Sequence, residues 1–272
     1  MFKKDSSNSL FSRRDSLRLM GAAGAAAWAG WNSANILAAG VEKLLDAPPL
    51  EVPKTDGALY LPEPHLFTGD ARALSCVVKP AQTAGPYFVD EKLNRSDIRL
   101  DPANKSLKEG VPLRLKFNVS RVKGDACAPL TGAQVDIWQC DALGTYSDVR
   151  DTSGRFDTRG QKFLRGYQIT NQNGAAEFLT IYPGWYTGRA VHIHFKIRLF
   201  TGEQKALEFT SQLYFDEAVT DQVHALAPYK TKGNRDRMNE RDGIFREGGD
   251  QLLLNVKQDG AGYTGTFDIG LK

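Results

Sequence analysis

The chain is short of the side chains that most often build metal and redox sites: its 272 residues include three cysteines and four histidines. No CxxC pair, HExxH helix, EF-hand loop, phosphate-cradling glycine loop or nucleophile elbow occurs, which removes the commonest zinc, calcium, nucleotide and serine-hydrolase readings. An excess of one charge is missing as well. Lysine and arginine total 35 against 32 acidic residues, and residues 1–39 account for the difference, with Lys3, Lys4, Arg13, Arg14 and Arg18 against Asp5 and Asp15. The rest is balanced, so there is no basic stripe to neutralise phosphates, and nucleic acid is not expected as a partner. Nor is there an apolar run of about 20 residues, the length a membrane-spanning helix needs. Cys76, Cys127 and Cys140 make an odd count. An oxidising compartment would allow one disulfide of undetermined pairing and leave one thiol. Cys140 falls in a strand-like run, which suits a buried thiol.

Composition divides the chain in three. Residues 1–40 read as an export leader: Ser12-Arg13-Arg14-Asp15-Ser16-Leu17-Arg18 is a twin-arginine pattern, followed by an apolar stretch from Leu19 to about Gly30 and a small-x-small cleavage site at Ala38-Ala39-Gly40. The mature chain is thus expected in the periplasm or outside the cell. Residues 41–75 are Pro-rich and irregular, as in a linker or wrapping arm. Folded structure is expected over 76–272. There Leu113, Leu115, Phe117 and Val119 alternate with Arg114, Lys116, Asn118 and Ser120, the period of a half-buried strand. Similar runs cover Ala133–Cys140, Ala175–Ile181, Val191–Phe200, Glu208–Phe215, Gln251–Val256 and Tyr263–Leu271, with turn signals such as Asn173-Gly174 between them. Seven short strands without long amphipathic helices predict an all-β fold, a β-sandwich of mixed or antiparallel strands with long connecting loops. Residues 217–250, rich in charge, Gly and Asn, read as a long loop with a helical turn.

Two of the four histidines stand in Val191-His192-Ile193-His194-Phe195-Lys196-Ile197. On a strand, residues i and i+2 share a face, so both imidazoles project together while Ile193, Phe195 and Ile197 turn to the core. Alone, such a pair is more often two strand histidines than a metal site. Its neighbours strengthen the metal reading. Thr180-Ile181-Tyr182-Pro183-Gly184-Trp185-Tyr186 is a Pro-Gly turn that presents phenols just upstream, and Tyr146 lies in the turn after Val135-Asp136-Ile137-Trp138. Taken singly, each tyrosine would more often be a packing residue. Together with the histidines they suit Fe(III): a hard trivalent ion favours anionic oxygen and can deprotonate a phenol whose free pKa is near 10. Either Tyr182 or Tyr186 could serve.

At this point the sequence resembles the intradiol ring-cleaving dioxygenases, in particular the protocatechuate 3,4-dioxygenase-like branch. The resemblance runs from about Pro80 to Leu271. It is carried by Gln82-Thr83-Ala84-Gly85-Pro86-Tyr87-Phe88, Val135-Asp136-Ile137-Trp138 leading to Gly144-Thr145-Tyr146, Tyr182-Pro183-Gly184-Trp185-Tyr186, Arg189-Ala190-Val191-His192-Ile193-His194-Phe195 and Ser211-Gln212-Leu213-Tyr214-Phe215. It implies a non-haem Fe(III) held by Tyr146, Tyr186, His192 and His194, and it selects Tyr186 over Tyr182. It further implies a catecholic substrate cleaved with O2 to a muconate-type diacid. Tyr186 would be the departing base, Arg189 and Gln212 would bind and stabilise the substrate, and Trp138 would form a pocket wall. Only Thr187 and Gly188 separate Tyr186 from Arg189, whereas well-known relatives carry a longer, pocket-shaping segment there. The identity of the catechol and the oligomeric state, a homo-oligomer included, stay open. Two rival readings are a non-catalytic, secreted transthyretin-like binding module and a copper site combining Cys140 with His192 and His194.

Overall fold

The alternation over Leu113–Ser120 becomes strand β1 (Pro112–Lys123): Leu113, Leu115, Phe117 and Val119 are buried and Arg114 is exposed. The computed structural model describes residues 77–272; the expected leader, the Pro-rich arm and Cys76 lie outside the described residues. Strand β1 serves two antiparallel partners in succession, β5 (Ala175–Ile181) along its first half and β2 (Ala126–Pro129) along its second. It also runs parallel to β9 (Gly262–Leu271), which pairs with β8 (Val256–Asp259). The second sheet is antiparallel throughout, in the order β4 (Arg165–Ile169), β3 (Gln134–Trp138), β6 (His192–Thr201) and β7 (Gln204–Tyr214). This is the expected all-β sandwich of mixed strands.

The sheets meet through aromatic packing. Phe117 of the first sheet lies 5.3 Å from Phe195 of the second, and Phe267 lies 5.6 Å from Phe195 and 6.0 Å from Phe117 (ring centroids). Ile193, Phe195 and Ile197 all face this core, as strand alternation requires. The opposite face of β6 is thereby left for its histidines. Register then sets Trp138 of β3 beside His194, and His194 beside Gln212 of β7, in one row across three strands.

Several elements differ from the sequence reading. Gln251–Val256 is not a strand: Gly249–Leu252 forms a 3-10 turn and β8 begins only at Val256. Leu252 and Leu254 alternate with exposed Leu253 because both insert into the core, but the segment makes only a single bridge, Tyr214 to Leu253. Strand β4 lacks alternation because residues 93–95 lie along it, with the Tyr167 amide donating to the Leu93 carbonyl at 2.8 Å. Within 217–250 the chain forms one true helix, α1 (Glu217–His224). Asp216 caps it, accepting from the Ala218 and Val219 amides at 2.9 and 3.0 Å. Cys140 is a free, buried thiol, as expected, and Cys127 is disulfide-bonded. Among the described residues no helix is long and apolar enough to cross a membrane.

Phe117 is fully buried at the junction of the sheets. Truncating it in Phe117→Ala should cost about 3–5 kcal/mol, the usual range for a large core aromatic, read as a lowered urea midpoint with an unchanged slope.

Candidate metal centre

Four donor atoms converge on the outer face of β6. His192 Nε2 lies 3.1 Å from His194 Nε2, 3.2 Å from Tyr186 Oη and 3.5 Å from Tyr146 Oη. Each side chain is positioned by its own local structure. His192 Nδ1 is 2.6 Å from the Ala190 carbonyl, a contact that requires the proton on Nδ1 and leaves Nε2 a bare lone pair. The His194 ring stacks on Trp138, with centroids 5.0 Å apart and planes 3° from parallel. Gly85, at φ +64°, closes over that histidine so tightly that a Cβ would stand 3.3 Å from its Cε1.

The two phenols come from loops that interlock. Asp141 Oδ1 accepts from the Leu143 and Thr145 amides at 3.1 and 2.9 Å, building the turn that presents Tyr146. Gly184 lets the Pro-Gly turn press onto this one, since a Cβ there would stand 2.4 Å from the Asp141 carbonyl oxygen. Tyr186 is carried into the site as a result. Tyr182 is not: its hydroxyl pairs with Thr220 at 2.7 Å and its ring packs 4.5 Å from Phe215 in the main core.

Burial shapes the electrostatics. It holds both histidines well below the usual imidazole range, helped for His192 by Arg189 and for His194 by His192 and then Arg189. Both are neutral and able to donate lone pairs. Burial also pushes the Tyr146 and Tyr186 phenols up, with Arg189 opposing the rise. Nitrogen and oxygen ligands sit about 2.0–2.2 Å from a metal ion, so two of them on one ion are about 3 Å apart. The observed separations fit that requirement, and a cation among these lone pairs would reverse the cost of ionising the phenols. Cys140 is not among the four converging donors: its thiol points to the Gly184 carbonyl at 3.4 Å, and burial pushes it up to about 12.

Around the donors lies a second group of polar side chains. Arg189 Nη2 donates to Gln212 Oε1 at 2.6 Å, and its Nη1 is 3.4 Å from Tyr186 Oη. Its Nε donates at 2.9 Å to Asp242, a buried carboxylate that also accepts from the Ala190 amide at 2.7 Å. Sequence reasoning missed Asp242, whose Asp-Gly dipeptide in a polar stretch carries only a turn signal. Tyr87 was named only within a motif. It stacks on Tyr146 at 4.6 Å and its hydroxyl donates to Asp151 at 2.6 Å; burial and that carboxylate raise it to about 12.

Known proteins resemble this chain over the region that holds the site. The family described as Dioxygenase matches residues 83–238, an interval containing every residue of the site except Asp242. The chain is 26% identical over 196 residues to the protocatechuate 3,4-dioxygenase beta chain of Burkholderia cepacia, covering 69% of this chain and 76% of that one. Among solved structures, an intradiol ring-cleavage dioxygenase from Tetranychus urticae is 32% identical with a TM-score of 0.59, over 72% of this chain and 94% of that one. The dioxygenase domain of a dioxygenase carbohydrate-binding protein fusion from Streptomyces sp. SirexAA-E is 31% identical with a TM-score of 0.50, over 72% and 99%. With the family match covering more than half of its length, the chain belongs to the intradiol ring-cleavage dioxygenases.

Proposed function

We propose that this protein is a non-haem Fe(III) dioxygenase that opens the ring of a catechol between its two hydroxyl-bearing carbons and releases a muconate-type diacid. The observation that carries this reading is the convergence of two imidazole nitrogens and two phenol oxygens within one ion's reach. Tyr146, Tyr186, His192 and His194 would hold the iron, and two phenolates would cancel two of its three charges, which suits a site walled by Trp138, Tyr87 and Phe88. Bound ferric iron would supply a Lewis acid that favours loss of the catechol's protons, and the resulting dianion is electron-rich enough to react with O2.

The remaining work falls to the chain's own groups. Tyr146, His192 and His194 are buried, and Tyr186 alone of the four is half-buried, so the site opens on the Tyr186 side. Tyr186 is therefore suited to leave its place and take the substrate's second proton on Oη. Arg189, held between Asp242 and Gln212, meets the same opening and stabilises negative charge developing on the substrate. Trp138 backs His194 and closes the far wall. The likeness to a protocatechuate enzyme and the expected twin-arginine leader together favour a protocatechuate-like catechol met outside the cytoplasm, lignin-derived compounds among them.

Purified protein supplied with iron should be red-brown from tyrosinate-to-ferric charge transfer, and a colourless, iron-free preparation would leave a binding module as the better reading. Tyr146→Phe and His192→Ala should fold but lose iron or oxygenation, measured by metal analysis and oxygen uptake; full activity in either would remove that residue from the ligand set. Asp242→Asn weakens a hydrogen bond to a charged group, about 1.5–3 kcal/mol, so turnover should fall roughly 10- to 100-fold with iron content unchanged. Turnover of catechol, protocatechuate and hydroxyquinol, with product analysis, identifies the substrate.

A further inference from the structure

The segment after β7 contributes no donor atom to the metal centre, yet one of its side chains touches both tyrosine loops. Lys232 ends the 3-10 turn Tyr229–Lys232. Its Nζ donates to the Trp185 carbonyl at 2.6 Å and also to the Leu143 carbonyl. Trp185 adjoins Tyr186, and Leu143 precedes Tyr146 by three residues. We propose that Lys232 is a positioning residue, a clamp joining the two tyrosine loops and setting the separation of the Tyr146 and Tyr186 phenols. Its consequence for metal binding rests on the reading of those phenols as iron ligands.

Four further features support the assignment. An ammonium offers three N–H donors from one atom, so it can hold two carbonyls that would otherwise face each other without a donor. The turn that delivers it is itself anchored: Tyr229 is buried, and its hydroxyl donates to the Tyr182 carbonyl at 2.7 Å and accepts from the Val111 amide at 3.0 Å. Trp185 returns a second link, with Nε1 donating to the Gly233 carbonyl at 3.2 Å, while its ring lies 4.7 Å from the ammonium. Finally, Gly144, at φ +81°, leaves room for this junction. A Cβ there would stand 2.1 Å from Lys232 Nζ and 2.2 Å from the Trp185 oxygen. The loops and the ammonium thus share one small space that any larger residue would fill.

The test uses Lys232→Met, with Lys230→Met as a control because Lys230 is exposed two residues away. Amide hydrogen exchange needs no metal and reports each loop separately. In metal-free Lys232→Met, peptides covering 141–147 and 183–189 should both exchange at least ten-fold faster, with the β1–β9 core unchanged. In the iron-loaded protein, ferric affinity measured by competition with a chelator should fall at least ten-fold, and the visible charge-transfer band should move. The control should change neither. Wild-type exchange in either loop would overturn the clamp, as would unchanged affinity and band in a variant whose loops do exchange faster. If Lys232→Met does not fold, Lys232→Gln, which keeps a donor and drops the charge, takes the same measurements. A wild-type protein that binds no iron would defeat the metal reading while leaving the exchange comparison to decide whether the loops are clamped.

Discussion

The two-residue repeat of β6 is the constraint on which the site depends. Ile193, Phe195 and Ile197 are fixed toward the inter-sheet core by contacts with phenylalanines of the other sheet, and this obliges His192 and His194 to face away together. A shift of one residue would bury the imidazoles in hydrocarbon and turn Phe195 outward. Core stability and the direction of the donors are therefore one decision. The rigid member of the donor set is the strand pair, and the phenols are brought to it by loops.

Those loops are held by close approach rather than by ladder hydrogen bonds. Asp141 shapes one turn from within, while Gly144 and Gly184 remove the side chains that would keep the two turns apart. Tyr87 lies along Tyr146 with its own hydroxyl tied to Asp151, so the phenol ring is confined from its open face as well. Burial makes the Tyr146 and Tyr186 phenols and both imidazoles resist charge, and the ferric ion of the proposed function would offset that cost.

Much of this was legible in the sequence, and the parts that were not share a physical cause. Alternation identified β1, β5, β6 and β9 and put both histidines on one face, because each of these strands buries a continuous row against the opposite sheet. It failed at β4, whose pattern is erased by the segment lying along it, and at Leu252 and Leu254, which enter the core without joining a ladder. Residue chemistry could not choose between Tyr182 and Tyr186, four positions apart in the same turn. Only the tertiary path sends one to Thr220 and the other to His192. Asp242 and Lys232 were invisible for a related reason: a charged residue in a polar stretch reads as solvated until the fold supplies partners for its head group.

The Thr187-Gly188 turn has a different character from the rest of the rim. Thr187 is exposed, Gly188 has nothing within 4 Å of where a Cβ would be, and neither takes part in the interlock of Gly144 and Gly184. Extra residues inserted there would project outward beside Tyr186 and Arg189, in place of the turn's own ties, the Gly188 amide donating to Asp236 at 3.2 Å and the Arg189 amide donating to the Tyr186 carbonyl at 3.3 Å. This is a natural graft point: the mouth can be remodelled for a larger or smaller aromatic by lengthening two residues of surface chain, while the chemistry beneath keeps the same atoms.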